Sequence, residues 1–302
     1  MLVVNIGAGT ATCASVTVDY EFSLKNVALI KPNRKTVYPD YLSQLQRKNA
    51  KKLFLQLTSG GAQPFLSLKE IGRLKISIPS LPEQQKIASF LSAVDEKIQQ
   101  LTRKKDLLEQ YKKGVMQQLF SGKLRFKDEN GKAFPEWEEK RLGDVSEKKS
   151  SNIAANAITE NIGHFKIYGA TGCLKQVDFY REEEPYISIV KDGAGVGRTL
   201  LCDAKTSVLG TLDIIIPIAN VDLYFLYSVL NNIDFIKYTK GSTIPHIYYK
   251  DYSTEKIQLP LFQEQKKIAN YLSNIDNKIE SVTKQITQTQ TFKKGLLQQM
   301  FV

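Results

Sequence analysis

A duplicated segment constrains the fold of this 302-residue chain more than any other feature of its sequence. Residues 79–120 align without gaps on residues 260–301, and 18 of the 42 aligned positions are identical. The similarity continues upstream at the same offset of 181 positions, where Gly60, Pro64 and Lys69 fall on Gly241, Pro245 and Lys250. Because a period near that length is the size of a whole domain, the sequence predicts two related units and excludes a solenoid of short repeats.

Each copy of the repeat carries a heptad pattern of mainly apolar residues. Steps of four and three residues alternate over about five heptads, which is typical of a coiled coil. The predicted seam comprises Ile87, Leu91, Val94, Ile98 and Leu101 in the first copy and Ile268, Leu272, Ile275, Ile279 and Val282 in the second. Since neither helix can bury this stripe alone, we expect the two to pair in antiparallel orientation; pairing of each with another subunit is the alternative.

The remaining sequence predicts a fold of class α+β. Short apolar runs bounded by Gly, Asp or Pro indicate buried strands at 186–190 and 213–217, a helix at 223–230 and a terminal strand at 257–260. The first unit repeats this series at 2–6, 27–31, 41–47 and 76–79. The predicted organisation is a partial first domain at 1–80, a helix at 81–122, a linker at 123–134, a second domain at 135–260 and a C-terminal helix at 261–302.

The two predicted domains are unequal in length. The second domain has a stretch from about Pro135 to Tyr186 before its Gly-Ala-Gly sequence, and the first has almost nothing before its own. We therefore expect the first domain to be truncated at its N-terminus by roughly 50 residues. A second chain is one way in which the truncated part could be restored.

Composition narrows the classes of function. The chain has 42 Lys and Arg against 31 Asp and Glu, a net charge of +11, which favours nucleic acid over a membrane as the partner; a basic protein without such a partner is the alternative. Two histidines and the scattered Cys13, Cys173 and Cys202 predict neither a metal site nor a disulfide framework. Without an apolar run of about 18 residues or a signal peptide, we expect a cytoplasmic protein.

Two loops of the second domain are the candidate DNA-binding segments. The glycine-rich stretch 192–197 lacks the spacing of a dinucleotide-binding motif or a P-loop, and a tight turn flanked by cations is the favoured interpretation. The stretch 240–250 combines cations, hydroxyl groups and aromatics that can bind phosphates and base edges, although a surface loop is equally compatible. The candidate residues are Lys191, Arg198, Lys240, Ser242, Thr243, His246, Tyr248 and Lys250, together with Lys69 of the first unit.

Several short motifs occur in a specific order along the chain. They comprise a proline followed by an E-Q-x-K-I-A or closely similar run, an L-x-x-x-D-x-K-I continuation and a K-K-G-x-x-Q-Q-x-F ending in both copies. A G-K-L-R-F exit at 122–126 and a W-E-x-x-x-L-G-D opening at 137–144 complete the set. In these motifs the chain resembles the specificity (S) subunit of type I restriction-modification systems.

The resemblance implies a DNA-reading adaptor without catalysis of its own. Two target-recognition domains, here with the first incomplete, would each read one half of a bipartite site, and the antiparallel coiled coil would set their spacing. Modification (M) subunits would bind S-adenosylmethionine and methylate adenine, and restriction (R) subunits would use ATP and Mg²⁺ for cleavage. A coiled-coil assembly protein without sequence specificity is the alternative, and the absence of catalytic motifs disfavours a monomeric nuclease or methyltransferase.

Overall fold

The first part of the chain forms a small sheet, two helices and one long helix. The computed structural model describes residues 1–6, 9–57, 65–158 and 163–301, with backbone only for 51–53, 56 and 57. The elements in this part are β1 (Leu2–Val4), β2 (Cys13–Ala14), β3 (Val27–Leu29), α1 (Pro39–Leu57), α2 (Leu68–Arg73) and α3 (Leu81–Phe120).

The second part of the chain adds nine strands and four helices among the described residues. They are β4 (Glu138–Arg141), α4 (Leu142–Val145), β5 (Ser146–Ser150), β6 (Phe165–Gly169), β7 (Gly172–Val177), β8 (Tyr186–Val190), β9 (Thr199–Cys202), β10 (Ser207–Val208), β11 (Leu212–Pro217), α5 (Leu223–Asn232), α6 (Tyr249–Tyr252), β12 (Lys256–Leu259) and α7 (Phe262–Met300). Two short 3₁₀ helices occupy Ala155–Ala157 and Phe235–Tyr238.

The chain divides into two compact units, each of which contains part of both long helices. Unit 1 comprises Met1–Asp106 and Glu280–Val302, and unit 2 comprises Leu107–Ile279. Each unit thus holds one domain and a segment of the helix pair. The predicted class, α+β with two long helices, is confirmed.

The two long helices pack in antiparallel orientation in each unit. In unit 1 the start of α3 meets the end of α7, where Asp95 forms an ion pair with Lys293. In unit 2 the end of α3 meets the start of α7, where Lys112 lies 2.7 Å from Asp276. The second pair is the first one shifted by 181 positions, with the two helices exchanged. All ten predicted seam positions are buried or half-buried, whereas most of the residues between them are exposed to solvent.

A buried glutamine joins each domain to its long helix. Gln265, in the first turn of α7, accepts a hydrogen bond from the backbone N–H of Asp222 (2.9 Å) and donates to the carbonyls of Asn220 and Pro260. In unit 1, Gln84 makes the same three contacts: it accepts from the N–H of Tyr38 (2.9 Å) and donates to the carbonyls of Thr36 (3.0 Å) and Pro79 (2.9 Å). The duplication therefore extends to individual hydrogen bonds.

The central strands of the two sheets pair with their neighbours in the same way. In unit 2 the strand order is β5-β11-β8-β9, and in unit 1 it is β2-β1-β3. Ile189 of β8 pairs with Thr199 and Asp213, and Val3 of β1 pairs with Cys13 and Ala28. The sheet of unit 1 therefore corresponds to β9-β8-β11 of unit 2.

Strand β8 is buried along its whole length because both faces of its sheet are covered. Ile187 and Ile189 face a core built with α5 and the long helices, and Tyr186 and Val190 face a second core under β6, β7 and β10. Side chains alternate between the faces of a strand, so a strand buried on both sides loses the usual polar alternation.

One predicted strand is wrong. Residues 76–79 of unit 1 are not in a strand, although their counterpart β12 pairs with β4 over four residues in unit 2. The described part of unit 1 contains no counterpart of β4. The sequence pattern is suited to a strand, but a strand requires a partner for its hydrogen bonds.

Replacing Gln265 by alanine will destabilise unit 2. The substitution removes three hydrogen bonds at a site that is almost fully buried and leaves the N–H of Asp222 without an acceptor, which costs about 2–4 kcal/mol of unfolding free energy. Urea unfolding followed by the fluorescence of Trp137, the single tryptophan, measures this change.

The control for this experiment is Gln263→Ala, two residues away on the exposed side of α7. It should change the same quantity by less than about 0.5 kcal/mol. Equal effects of the two substitutions would contradict the role assigned to Gln265.

Candidate nucleic-acid interface

The glycine-rich loop 191–198 is a tight connection between β8 and β9. The N–H of Gly197 donates to Val190 O (2.8 Å), and the N–H of Val190 donates to Arg198 O (2.9 Å). Gly193 and Gly197 have φ of 92° and 82°, values that glycine adopts without steric cost. The structure therefore shows the tight turn that the sequence favoured.

The second predicted loop returns onto the first. His246 forms isolated bridges with both Asp192 and Lys240. The N–H of Gly193 donates to Pro245 O (2.8 Å), and the N–H of Ile247 donates to Lys191 O (2.9 Å). Two segments about fifty residues apart in the chain thus form one continuous backbone surface in unit 2.

An exposed tyrosine lies at the centre of this surface, surrounded by nitrogen-bearing side chains. The ring of Tyr248 is 46% exposed. The Nζ atoms of Lys240 and Lys250 lie 5.7 and 5.6 Å from its centroid, and the ring of His246 meets it edge-on at 4.9 Å. We call these four residues the Tyr248 cluster. Its combination of an aromatic face and cations is the kind that nucleic-acid backbones and unstacked bases bind.

Some predicted DNA-binding cations are engaged by the protein itself. The Nζ of Lys191 lies 3.0 Å from Oδ1 of Asp213, a buried carboxylate, so this lysine forms an ion pair within unit 2. Lys240 Nζ lies 2.6 Å from Asp251 Oδ2, but its side chain stays largely exposed. Arg198 donates from Nη1 to Ala170 O at 2.8 Å and remains exposed with further donors.

The tip of the second loop presents polar and apolar groups to solvent. Ser242 and Thr243, two of the predicted DNA-binding residues, are exposed. Beside them Ile244 is 64% exposed, and Ile236 on the adjoining 3₁₀ helix is also exposed. Neither isoleucine is among the candidate residues predicted from the sequence. Ile244 could have been recognised there as a β-branched residue within a polar loop, because such a side chain can contact the thymine methyl group.

One predicted site residue of the first unit, Lys69, lies in the described part of the chain. Lys69 is exposed on α2, at the repeat position that corresponds to Lys250 on α6 of unit 2. The counterpart of the second loop, at 59–64, lies outside the described residues, as do Gly7 and Ala8 of the first Gly-Ala-Gly sequence.

Two observations concern metal-binding and nucleophilic groups. Within them no group of three or more His, Cys, Asp or Glu side chains is arranged to hold a metal ion. Burial raises the pKa of Cys202 to about 11, so its thiol is protonated at neutral pH. In the same part of the chain, none of the helices combines the length and apolarity needed to cross a bilayer.

Comparison with known proteins identifies a family with this architecture. A family model for the type I restriction modification DNA specificity domain matches residues 2–110 and 135–290, which is most of the chain. The match has two parts, in agreement with the duplication.

Relatives from Methanocaldococcus jannaschii are similar over long stretches. The chain is 32% identical over 191 residues to the type I restriction enzyme MjaVIII specificity subunit, covering 58% of this chain and 44% of that protein. It is 29% identical over 300 residues to the putative type I restriction enzyme MjaX specificity subunit, covering 90% and 69%. The chain therefore spans less than half the length of the first relative and about two thirds of the second.

Solved structures share the fold. The S subunit of a type I restriction-modification system from M. genitalium superposes with a TM-score of 0.70 at 18% identity, covering all of this chain and 82% of that one. A chain from a structure of the type I R-M system, described for its complex assembly and conformational transition, gives a TM-score of 0.53 at 19% identity, with 92% and 78% covered. At these identities the similarity concerns the fold alone.

Alanine at Gly197 will disrupt the surface that carries the Tyr248 cluster. A Cβ atom there would lie 2.6 Å from Cβ of the buried Phe235, in a backbone conformation with positive φ. Strain and overpacking together should lower the unfolding free energy by about 2–4 kcal/mol. Urea unfolding monitored by Trp137 fluorescence measures this loss.

Gly193→Ala is the matched control in the same loop. Its φ is also positive, but a Cβ atom there meets no atom within 4 Å among the described residues. It should cost only about 1 kcal/mol. A loss as large as that of Gly197→Ala would show that φ alone, and not packing on Phe235, fixes the loop.

Proposed function

Because the chain belongs to the type I restriction-modification DNA specificity family, we propose that it binds double-stranded DNA at a bipartite target and performs no chemistry itself. In this proposal, modification subunits bring S-adenosylmethionine and methylate adenine, and restriction subunits bring ATP and Mg²⁺ for cleavage. The chain positions these subunits on the DNA.

The Tyr248 cluster is the observation that carries the DNA-binding part of the proposal. Lys240, His246, Tyr248 and Lys250 lie together within the segment 240–250, whose backbone is hydrogen-bonded to the glycine-rich loop. Two ammonium groups beside an exposed aromatic ring form a site for a phosphate and its neighbouring sugar or base. The net charge of +11 supplies a long-range field that attracts a polyanion to such a site.

In this proposal, one group of residues positions the DNA and another group reads its base sequence. Lys250 and Arg198 are exposed cations, which suits contacts to phosphates that carry no sequence information. Ser242, Thr243 and Ile244 at the loop tip offer hydroxyl groups and a methyl-rich side chain, which suit hydrogen bonds to base edges and contact with thymine. Substitutions in the first group should therefore change affinity, and those in the second should change target preference.

Methylation in cells tests the whole proposal. Co-expression of the chain with a modification subunit of the same system, followed by single-molecule sequencing of methylated adenine, should reveal a bipartite motif. A palindromic motif would instead indicate that two chains read through unit 2. Assembly of the complex without any methylated motif would contradict sequence reading, and failure to assemble would favour the coiled-coil assembly protein.

Lys250→Ala will weaken DNA binding by removing one phosphate contact. In the complex with the modification subunit, log affinity against log salt should become less steep by about one ion. Fluorescence anisotropy with a labelled duplex at several salt concentrations measures the slope. Arg198→Ala should behave in the same way.

Two further variants test whether a change in DNA binding comes from a lost phosphate contact, from the lower net charge or from a less stable fold. Lys123→Ala removes the same charge from an exposed position after α3 and should leave the salt slope unchanged. Lys191→Ala should lower the unfolding free energy by about 1–3 kcal/mol, because it leaves the buried Asp213 carboxylate without its ion pair. If neither Lys250→Ala nor Arg198→Ala changed the salt slope, the assignment of this surface to DNA binding would be rejected.

A further inference from the structure

The hairpin formed by β6 and β7 in unit 2 ends in a short exposed turn. The turn comprises residues 170–171, and Gly169 pairs with Gly172 on either side of it. Leu174, on the strand that follows, is 47% exposed although it is a large apolar residue. We call residues 170–174 the hairpin tip. Its exposed side chains are those of Thr171, Cys173 and Leu174, none of which is among the candidate residues predicted from the sequence.

The hairpin tip contacts the glycine-rich loop. Arg198 donates from Nη1 to the carbonyl of Ala170 at 2.8 Å, and a Cβ atom at Gly195 would lie 3.7 Å from Cβ of Ala170. The backbone of the same loop is hydrogen-bonded to the segment 240–250. The glycine-rich loop therefore joins the hairpin tip to the segment that carries the Tyr248 cluster, and the three segments form one surface.

The strands beneath the hairpin tip give it a rigid support. Ile167 of β6 and Val177 of β7 are buried in the second core of unit 2. The other edge of β6 pairs with β10, and the N–H of Leu209 donates to Tyr168 O at 3.0 Å. Side chains carried by paired strands with a buried face are placed more precisely than those on an unsupported loop. The tip is therefore suited to recognition that depends on exact placement.

The hairpin tip carries polar and apolar groups but no charged side chain. The lysines on either side of it interact within the domain: Lys175 donates from Nζ to Ile158 O (2.8 Å), and Lys166 Nζ lies 2.6 Å from Asp203 Oδ2. Cations supply the attraction to phosphates, whereas hydroxyl groups and apolar side chains can read base edges. The composition of the tip therefore favours contacts to bases over contacts to phosphates.

The backbone of the tip is open to close approach at Gly172. Its φ is 119°, a value that favours glycine, and a Cβ atom there would meet no atom within 4 Å among the described residues. A ligand can therefore come close to the main chain of the turn on this side.

We propose that the hairpin tip enters the major groove of DNA and reads base pairs there, while Arg198 and Lys250 bind the flanking phosphates. The inference rests on the proposed function and adds a second reading segment to the one at 242–244. The major groove of B-DNA is about 12 Å wide and admits a two-stranded β-ribbon. Thr171 offers its hydroxyl group to a base edge, and Leu174 offers an apolar contact to the thymine methyl group.

Selection from a library of random duplexes tests the role of the hairpin tip. The chain in complex with the modification subunit is incubated with the library, and the bound duplexes are sequenced. Thr171→Val replaces the hydroxyl group by a methyl group of nearly equal volume. It should lower the preference for the wild-type base at one or two positions of one half-site by roughly fivefold or more. Lys250→Ala should instead lower the recovery of all duplexes and leave the motif unchanged.

Thr287→Val is the matched control. Thr287 is exposed on α7, and its hydroxyl group donates to Thr283 O, so the substitution makes the same chemical change outside unit 2. It should leave both the motif and the recovery of duplexes unchanged.

The thiol of Cys173 gives a second measurement that requires no substitution in the tip. Cys173 is exposed, whereas Cys202 is buried. In the wild-type complex, a saturating duplex with the selected motif should slow the reaction of Cys173 with N-ethylmaleimide by roughly fivefold or more, because DNA limits access to the thiol. Mass spectrometry of the alkylated peptides measures the rate. A thiol introduced by Lys123→Cys, at an exposed position after α3, should react equally fast with and without DNA.

Either of two results would overturn this inference and leave the proposed function intact. One is a folded Thr171→Val variant that selects the wild-type motif at every position, and the other is a rate of Cys173 alkylation that the duplex does not change. If Thr171→Val failed to fold, the alkylation rate in the wild-type complex would decide. A wild-type complex that selects no motif would overturn the proposed function and this inference together.

Discussion

The buried glutamine at the start of each long helix is the interaction on which the remaining structure depends. Gln84 and Gln265 each connect three backbone groups, two from the loop before a domain helix and one from a proline two residues before the long helix. A glutamine amide can donate and accept at the same time, so one side chain fixes the angle between a domain and its helix. With that angle fixed, the sheet and the helix pair can share one core in unit 2.

The helix pair adds a charge pattern to this geometry. Asp95 binds Lys293, and Asp276 binds Lys112, so one ion pair occurs twice with the helices exchanged. In each unit the aspartate also accepts a hydrogen bond from the domain helix, from Gln44 of α1 or Tyr224 of α5. A half-buried carboxylate with these partners favours one register of the antiparallel pair over its alternatives, because a shifted register would leave the carboxylate unpaired.

The duplication also explains where the units differ. The long helix, the sheet register and the glutamine contacts recur in both units, whereas the strand pairing of β12 with β4 has no counterpart among the described residues of unit 1.

The sequence by itself determined the duplication, the two long helices with their seam, the α+β class and the family. These properties follow from the spacing of residues close together in the chain. The period of a helix and the alternation of a strand determine from that spacing which side chains share a buried face. Tertiary structure alone decided that Lys191 forms an ion pair with Asp213 and that residues 76–79 form no strand. It also decided that the loops at 191–198 and 240–247 form one surface around Tyr248. Each of these depends on a partner far away in the chain, and a strand or an ion pair exists only when folding brings that partner within hydrogen-bonding distance.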